Sequence, residues 1–258
     1  MVQIRDTCDT YGAWVHVDGA FGLLGRILPS SSTDNRSDSP FTLGHPLHDS
    51  YSSIAIGCGG MELADSITGD SHKLLNVPYD CGFFFSRDLA IATQVFQNAG
   101  AAYLGGSFTE PDTITSPLHI GIENSRRFRA LPVYATLVAH GRYGIEEMLR
   151  RQVKLVRKIA EYIRSNSFYE LLPHDRHIGE HFIVVLFRLS TPRWNEKLVE
   201  KINSYRKIYV SGTVWEGQPA CRIAISNHAV DVDADYELVK SLLEEVPLQL
   251  KQESLGLP

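Results

Sequence analysis

An apolar run and an alternating stretch early in the chain each lead into polar, reactive residues, and this constrains the fold more than any other feature. Trp14-Val15-His16-Val17 stops at Asp18, while Ala64-Asp65-Ser66-Ile67-Thr68 continues into Gly69-Asp70-Ser71-His72-Lys73. The first run reads as a central strand and the second, by its alternation, as another strand. Gly19, Gly22 and Gly25 loosen the backbone just beyond the first. Open α/β sheets place their ligands at such strand ends. A further buried strand is predicted over 82–86, where Phe83, Phe84 and Phe85 follow one another. Lys73 therefore falls between two apolar strands, and a desolvated amine in such a place acts as a nucleophile at neutral pH.

The remainder of the chain divides by pattern. Residues 29–40, rich in Ser, Asp and Asn between prolines, read as a polar surface loop. A short helix is predicted within 52–63. From 127 to 163 apolar residues recur at helical spacing, interrupted near Gly141 and Gly144, which predicts two long helices meeting at a bend. The Arg and Lys residues along this stretch are a solvated helix face. Beyond Pro173 the order becomes strand (182–189), helix (196–205), strands (208–214 and 222–226) and helix (234–246), a small α+β module. The chain is accordingly divided into a first part, 1–142, and a second, 143–258.

Composition excludes several classes. The 25 Lys plus Arg against 30 Asp plus Glu give a formal charge of −5, so there is no general attraction to nucleic acid or to an anionic membrane. Cys8, Cys58, Cys81 and Cys221 are scattered without a CxxC pair, which argues against a zinc ribbon or a disulfide framework. No run is long enough to span a membrane, and the first residues lack the apolar core of a signal peptide, so a cytoplasmic protein is expected. A metal-hydrolase reading rests on His16, Asp18, His45, His48, His72 and the histidines of 174–181, but no HExxH helix spacing is present. The spacing of Gly19, Gly22 and Gly25 does not fit a dinucleotide site.

Four blocks, in this order, carry a resemblance to a known family: His16-Val17-Asp18-Gly19-Ala20; Asp65-Ser66 through His72-Lys73 with the tail Pro78-Tyr79-Asp80-Cys81; Arg126-Arg127-Phe128-Arg129-Ala130-Leu131; and Arg222-Ile223-Ala224-Ile225-Ser226-Asn227. Together they resemble the group II pyridoxal-phosphate-dependent decarboxylases, the family of the glutamate and aromatic amino-acid decarboxylases. The resemblance implies an α/β fold, the C-terminal part of the type I pyridoxal-phosphate-dependent transferase fold. A partial large-domain sheet would be followed by a small α+β domain.

The resemblance also implies roles. Lys73 would hold pyridoxal 5'-phosphate as a Schiff base, Asp18 would keep the pyridine nitrogen protonated, and Ala20 would pack on the ring face. Gly19 departs from the alanine common at its place, a change expected to be harmless. His72 would lie near the phosphate and the reacting imine, and Tyr103, flanked by Gly100, Gly105 and Gly106, would be a proton donor on a mobile loop. Tyrosine rather than phenylalanine there favours plain decarboxylation over aldehyde formation. Arg222 would pair with a substrate carboxylate, or else form a structural ion pair. Asp70 stands where relatives often carry Asn, and an acid there would repel a phosphate unless turned away. Asp18 has a second reading, as the cap of a following helix.

Family members place the ring-stacking residue and the phosphate-cradling amides ahead of the Asp18 motif. The expectation is therefore a chain that lacks about the first half of the enzyme, inactive by itself and homodimeric when whole, with an amino acid as its substrate. The alternatives are a catalytically dead remnant that only binds a partner, or another type I pyridoxal-phosphate enzyme.

Overall fold

The computed structural model describes residues 1–28, 51–96, 121–123 and 125–255. In chain order they form α1 (Val2–Thr10), β1 (His16–Asp18), α2 (Ser52–Gly57), β2 (Ser66–Asp70), β3 (Gly82–Ser86), α3 (Leu89–Phe96), α4 (Ala130–Ser165), β4 (Tyr169–Leu172), β5 (Val184–Leu189), α5 (Asn195–Ser204), β6 (Ser211–Trp215), β7 (Gln218–Ala224) and α6 (Val232–Ser254).

The first sheet has the order β1-β2-β3, with β1 parallel and β3 antiparallel to β2. Its register sets Asp18 beside Thr68, and Asp70 beside Gly82. Side chains alternate across a strand, so Val17 and Ile67 pack into the core while His16 and Asp18 lie exposed on the other face. Among the described residues β1 is thus an edge strand and not the expected central one. Its apolar residues alternate: Val15 and Val17 supply one buried face, and Trp14 stays about half exposed (49%) on the other.

The predicted bend in the long helix lies at Gly141, whose φ of 58° a residue with a Cβ rarely adopts. Beyond it Ile145, Leu149, Val153, Val156, Ile159 and Ile163 form one buried stripe of α4. This stripe passes through three packing clusters in succession. Ile145 and Met148 meet Leu75, Val77 and Cys81; Leu149 and Val153 meet Leu74, Ile54 and Ile183; and Val156 to Ile163 enter the core of the second sheet. The residues just after Lys73 are therefore anchored on the same rod that carries the second module. Leu149→Ala should lower stability by about 2–5 kcal/mol, the scale for a fully buried leucine. Urea unfolding with an unchanged midpoint would show that the side chain is not part of a filled core.

The second sheet, order β4-β5-β7-β6, is antiparallel throughout. Val185, Phe187 and Leu189 of β5 alternate inward, and α4, α5 and α6 supply residues to the same core. Sequence reading missed α1, α3 and β4. The last of these is a four-residue strand ahead of Pro173 with two adjacent leucines, too short to show a period. Sequence also ended the last helix at Val246, before Pro247. In the structure α6 runs on to Ser254, because Pro247 costs one N–H while Val246, Pro247 and Leu250 stay buried. Its start is fixed by Asp231, whose carboxylate accepts from the amides of Asp233 and Ala234 at 3.1 and 3.0 Å.

Candidate functional site

Asp18 is the last residue of β1, and Lys73 follows three residues beyond Asp70, the end of the parallel neighbour β2. Both side chains thus start from the same end of two paired strands, the end at which α/β sheets present ligand-binding groups. The Asp18 carboxylate accepts the Ala20 amide at 3.0 Å, a local turn that fixes it to its own loop. It does not cap the following short helix (Gly22–Ile27), which has no side-chain cap. Gly19 donates to the Thr68 carbonyl at 2.9 Å, and a Cβ at Gly19 would stand 2.7 Å from that oxygen. Glycine fits this close approach, whereas an added Cβ would require the backbone here to shift. His16 is hydrogen-bonded, its Nδ1 lying 2.8 Å from Ser66 Oγ.

Lys73 Nζ lies 2.5 Å from Asp70 Oδ2, and 4.5 Å from the centroid of the Phe21 ring. Asp70 is thus turned toward the lysine. Next to it the His72 ring stacks on Tyr79 with centroids 4.4 Å apart, and its Nδ1 accepts the Cys81 amide at 3.2 Å. Because that nitrogen accepts, the neutral ring carries its proton on Nε2, and His72 presents an N–H donor there.

The loop from Ser71 to Cys81 is closed by the Ser71 amide donating to the Cys81 carbonyl at 2.8 Å and is clamped at Asp80. Arg127 donates to Asp80 Oδ1 and Arg129 to Asp80 Oδ2, each at 2.9 Å, and Arg129 also holds Glu123 at 2.6 Å. Hydrogen bonding to Arg129 above all, then to backbone and Arg127, lowers the Asp80 carboxyl to about 2. A depressed carboxylate contributes stability that is present above its unfolded pKa, about 3.9, and is lost as pH falls through the folded value. The stability difference between the wild-type chain and Asp80→Asn should therefore be constant above about pH 5 and shrink as pH falls toward 2. Parallel denaturation curves over that window check it; a difference that does not change with pH would mean the clamp does not depend on the Asp80 charge.

Arg222 lies in β7 between Leu186 and Ser211, on the sheet face away from the helices, and has no side-chain ion-pair or hydrogen-bond partner among the described residues. The structural ion pair considered for it finds no partner there. Tyr103 lies outside the described residues, as do His45 and His48. No group of three or more His, Cys, Asp or Glu side chains converges among the described residues. The four cysteines are free thiols, and no helix among the described residues is long and apolar enough to cross a membrane.

Sequence reasoning passed over Asn76. With φ at 53°, it donates to the Ser226 carbonyl at 2.7 Å and accepts the His228 amide at 3.1 Å. Gln152 Nε2 donates to the Asn227 carbonyl at 3.0 Å, and Arg151 to the carbonyls of His228 and Val230 at 3.2 Å. The Asn76 bonds seat the segment after β7 on the loop that follows Lys73, and those of Gln152 and Arg151 seat it on α4. The signal was only an Asn ahead of Val-Pro, a residue that tolerates left-handed backbone. Ser71 was also overlooked: its hydroxyl is buried and without a hydrogen-bond partner among the described residues.

Residues 53–190 match the family model of the pyridoxal-dependent decarboxylase conserved domain. Curated relatives include a 3,4-dihydroxyphenylacetaldehyde synthase of Aedes aegypti, 26% identical over 243 residues, covering 93% of this chain and 41% of the relative. An L-2,4-diaminobutyrate decarboxylase of Acinetobacter baumannii is 28% identical over 201 residues, 78% of this chain and 34% of its own. An aromatic-L-amino-acid decarboxylase of Rattus norvegicus is 25% identical over 250 residues, 95% of this chain and 46% of its own. The chain thus spans less than half the length of these relatives. Among solved structures, Oryza sativa TDC with PLP and tryptamine superimposes with a TM-score of 0.72 at 24% identity, over 94% of this chain and 46% of that one.

Proposed function

The chain belongs to the pyridoxal-dependent decarboxylase family and has part of the type I pyridoxal-phosphate fold, and on that premise we propose that it carries the cofactor lysine of an amino-acid decarboxylase, a carboxy-lyase that releases carbon dioxide and an amine. The family's cofactor is pyridoxal phosphate. One observation carries the reading: Asp18 and Lys73 issue from the same end of two parallel, paired strands.

The donor set fits that group. An amine reacts with an aldehyde, a carboxylate pairs with a protonated pyridine nitrogen, and the small Ala20 leaves room for a flat ring beside it. When bound, pyridoxal phosphate supplies an electrophilic carbon and a ring that accepts the electron pair left by departing carbon dioxide. The chain's own residues do the rest. Lys73 gives the covalent anchor, Asp18 holds a proton on the ring nitrogen, and His72 offers its Nε2–H to an anionic oxygen. Arg222, with no other partner among the described residues, takes a substrate carboxylate. Tyr103 returns a proton to carbon, which favours amine over the aldehyde in the names of some relatives.

We divide the chain into a cofactor-bearing part, 1–142, and a small α+β domain, 143–258. We further propose a cytosolic homodimer in which another stretch of polypeptide supplies the phosphate cradle and the ring-stacking residue. Leu131, Tyr134, Leu137 and Val138 on the first turns of α4, together with Phe84 and Phe85 of β3, are exposed apolar side chains that a partner surface would cover. The test is to purify residues 1–258 with pyridoxal phosphate, reduce with borohydride and locate the pyridoxyl group by peptide mass, while following carbon dioxide release from a panel of amino acids. The expected result is a group on Lys73 without turnover. Turnover by this chain would overturn the proposal that it needs more polypeptide, and a group on other lysines in place of Lys73 would overturn the assignment of the site.

A further inference from the structure

The ion pair at Lys73 is at odds with the role proposed for that residue, because an amine that bonds a carbonyl carbon needs its lone pair free. We propose that Lys73 is parked in a two-sided cation cage made by Asp70 and Phe21, and that Asp70 gates the capture of any carbonyl ligand by this lysine. The proposal rests on Lys73 being the cofactor lysine.

The geometry separates a fixed half from a moving half. Asp70 ends β2 and is paired across to Gly82 of β3, and a Cβ at Gly82 would stand 3.3 Å from Asp70 Oδ1, so the carboxylate lies over the space that the glycine leaves open. The turn that follows is closed by the Lys73 amide donating to the Asp70 carbonyl at 3.2 Å. The carboxylate is thus part of a strand end, whereas Lys73 reaches it with a flexible four-carbon arm. Its ammonium contacts Asp70 Oδ2 at 2.5 Å on one side and the Phe21 face at 4.5 Å on the other. Both partners attract a cation, the carboxylate by its charge and the ring by its face. To react, the nitrogen leaves the carboxylate, gives one proton to solvent and attacks the carbonyl carbon. A carbon–nitrogen bond forms, and the carbonyl oxygen departs as water. Each ligand captured therefore has to displace the cage first. An asparagine at position 70 would keep the shape and remove the charge that holds the arm.

The experiment uses trace acylation with acetic anhydride, read lysine by lysine through peptide mass, on the wild-type chain, Asp70→Asn and Phe21→Leu. Lys158 and Lys201, paired with Asp233 and Glu253 at 2.7 and 2.6 Å, serve as internal standards. Asp70→Asn should raise acylation of Lys73 about fivefold, the upper scale of a partly exposed ion pair, with both standards unchanged. Phe21→Leu should raise it about twofold. Unchanged Lys73 acylation in Asp70→Asn would overturn the gate. A parallel rise at all three lysines would also overturn it, since it would mark a loosened fold and not a released arm. Failure of the functional reading has a separate signature: Lys73 would acylate faster in Asp70→Asn while neither protein takes up a pyridoxyl group there.

Discussion

Lys73→Ala is expected to abolish covalent attachment of pyridoxal phosphate, leaving no pyridoxyl group on the peptide that spans the β2–β3 loop after borohydride reduction. Alanine supplies no amine, and Lys73 is the lysine that follows the end of β2 within the loop clamped by Arg127 and Arg129. In a decarboxylating assembly containing this chain, turnover should fall by about 10³-fold or more, since the anchor and a nearby proton carrier are lost together. The fold should survive, because the neighbours Leu74, Leu75 and Val77 carry the burial while the Lys73 side chain is about a quarter exposed (28%). Lys73→Arg separates charge from chemistry: it can keep the contact with Asp70 yet forms no imine under these conditions, so it should be as inactive as alanine. A pyridoxyl group retained elsewhere together with full turnover would remove Lys73 from the mechanism.

Where candidate residues sit on or just beyond regular strands, their placement was legible in the sequence. That Asp18 and Lys73 lie toward the same end of neighbouring strands was readable, because each run gives way to polar residues where its strand ends, and the parallel pairing of β1 with β2 then brings those ends together. The bend of α4 was readable from Gly141, and the 82–86 strand has the bounds read from the sequence but not the expected burial, since Phe84 and Phe85 are more than half exposed. What failed had physical causes as specific. Strand β4 is too short for its period to show, and α6 continues past Pro247 because buried contacts on both sides outweigh one missing hydrogen bond. Sequence could not announce Asn76, whose two bonds to 226 and 228 join segments about 150 residues apart. Nor could it show that Asp70 faces Lys73, a choice of side-chain direction within one turn. Nor could it show how close the Thr68 carbonyl comes to Gly19, which is visible only in three dimensions.

Asp18→Asn is expected to leave attachment at Lys73 intact while lowering turnover by about 10²- to 10³-fold, and this split sets it apart from a loss of fold. The amide is nearly isosteric, and its oxygen can still accept the Ala20 hydrogen bond that the carboxylate accepts at 3.0 Å. The turn at the end of β1 should therefore hold. What disappears is the negative charge. Asp18 is exposed on its strand face and, apart from the Ala20 amide, has no hydrogen-bond or ion-pair partner among the described residues, so its charge is not committed to any other group there. A carboxylate beside a pyridine nitrogen keeps that nitrogen protonated and electron-poor, and an amide does not. Bond formation at Lys73 depends on the amine and the carbonyl carbon and needs no such charge, whereas loss of carbon dioxide leaves an electron pair that does. Peptide mass after borohydride reduction reads the first step, and carbon dioxide release in a decarboxylating assembly reads the second. Equal loss of both in Asp18→Asn would show that Asp18 only shapes the loop, and equal retention of both would show that the ring nitrogen has another partner.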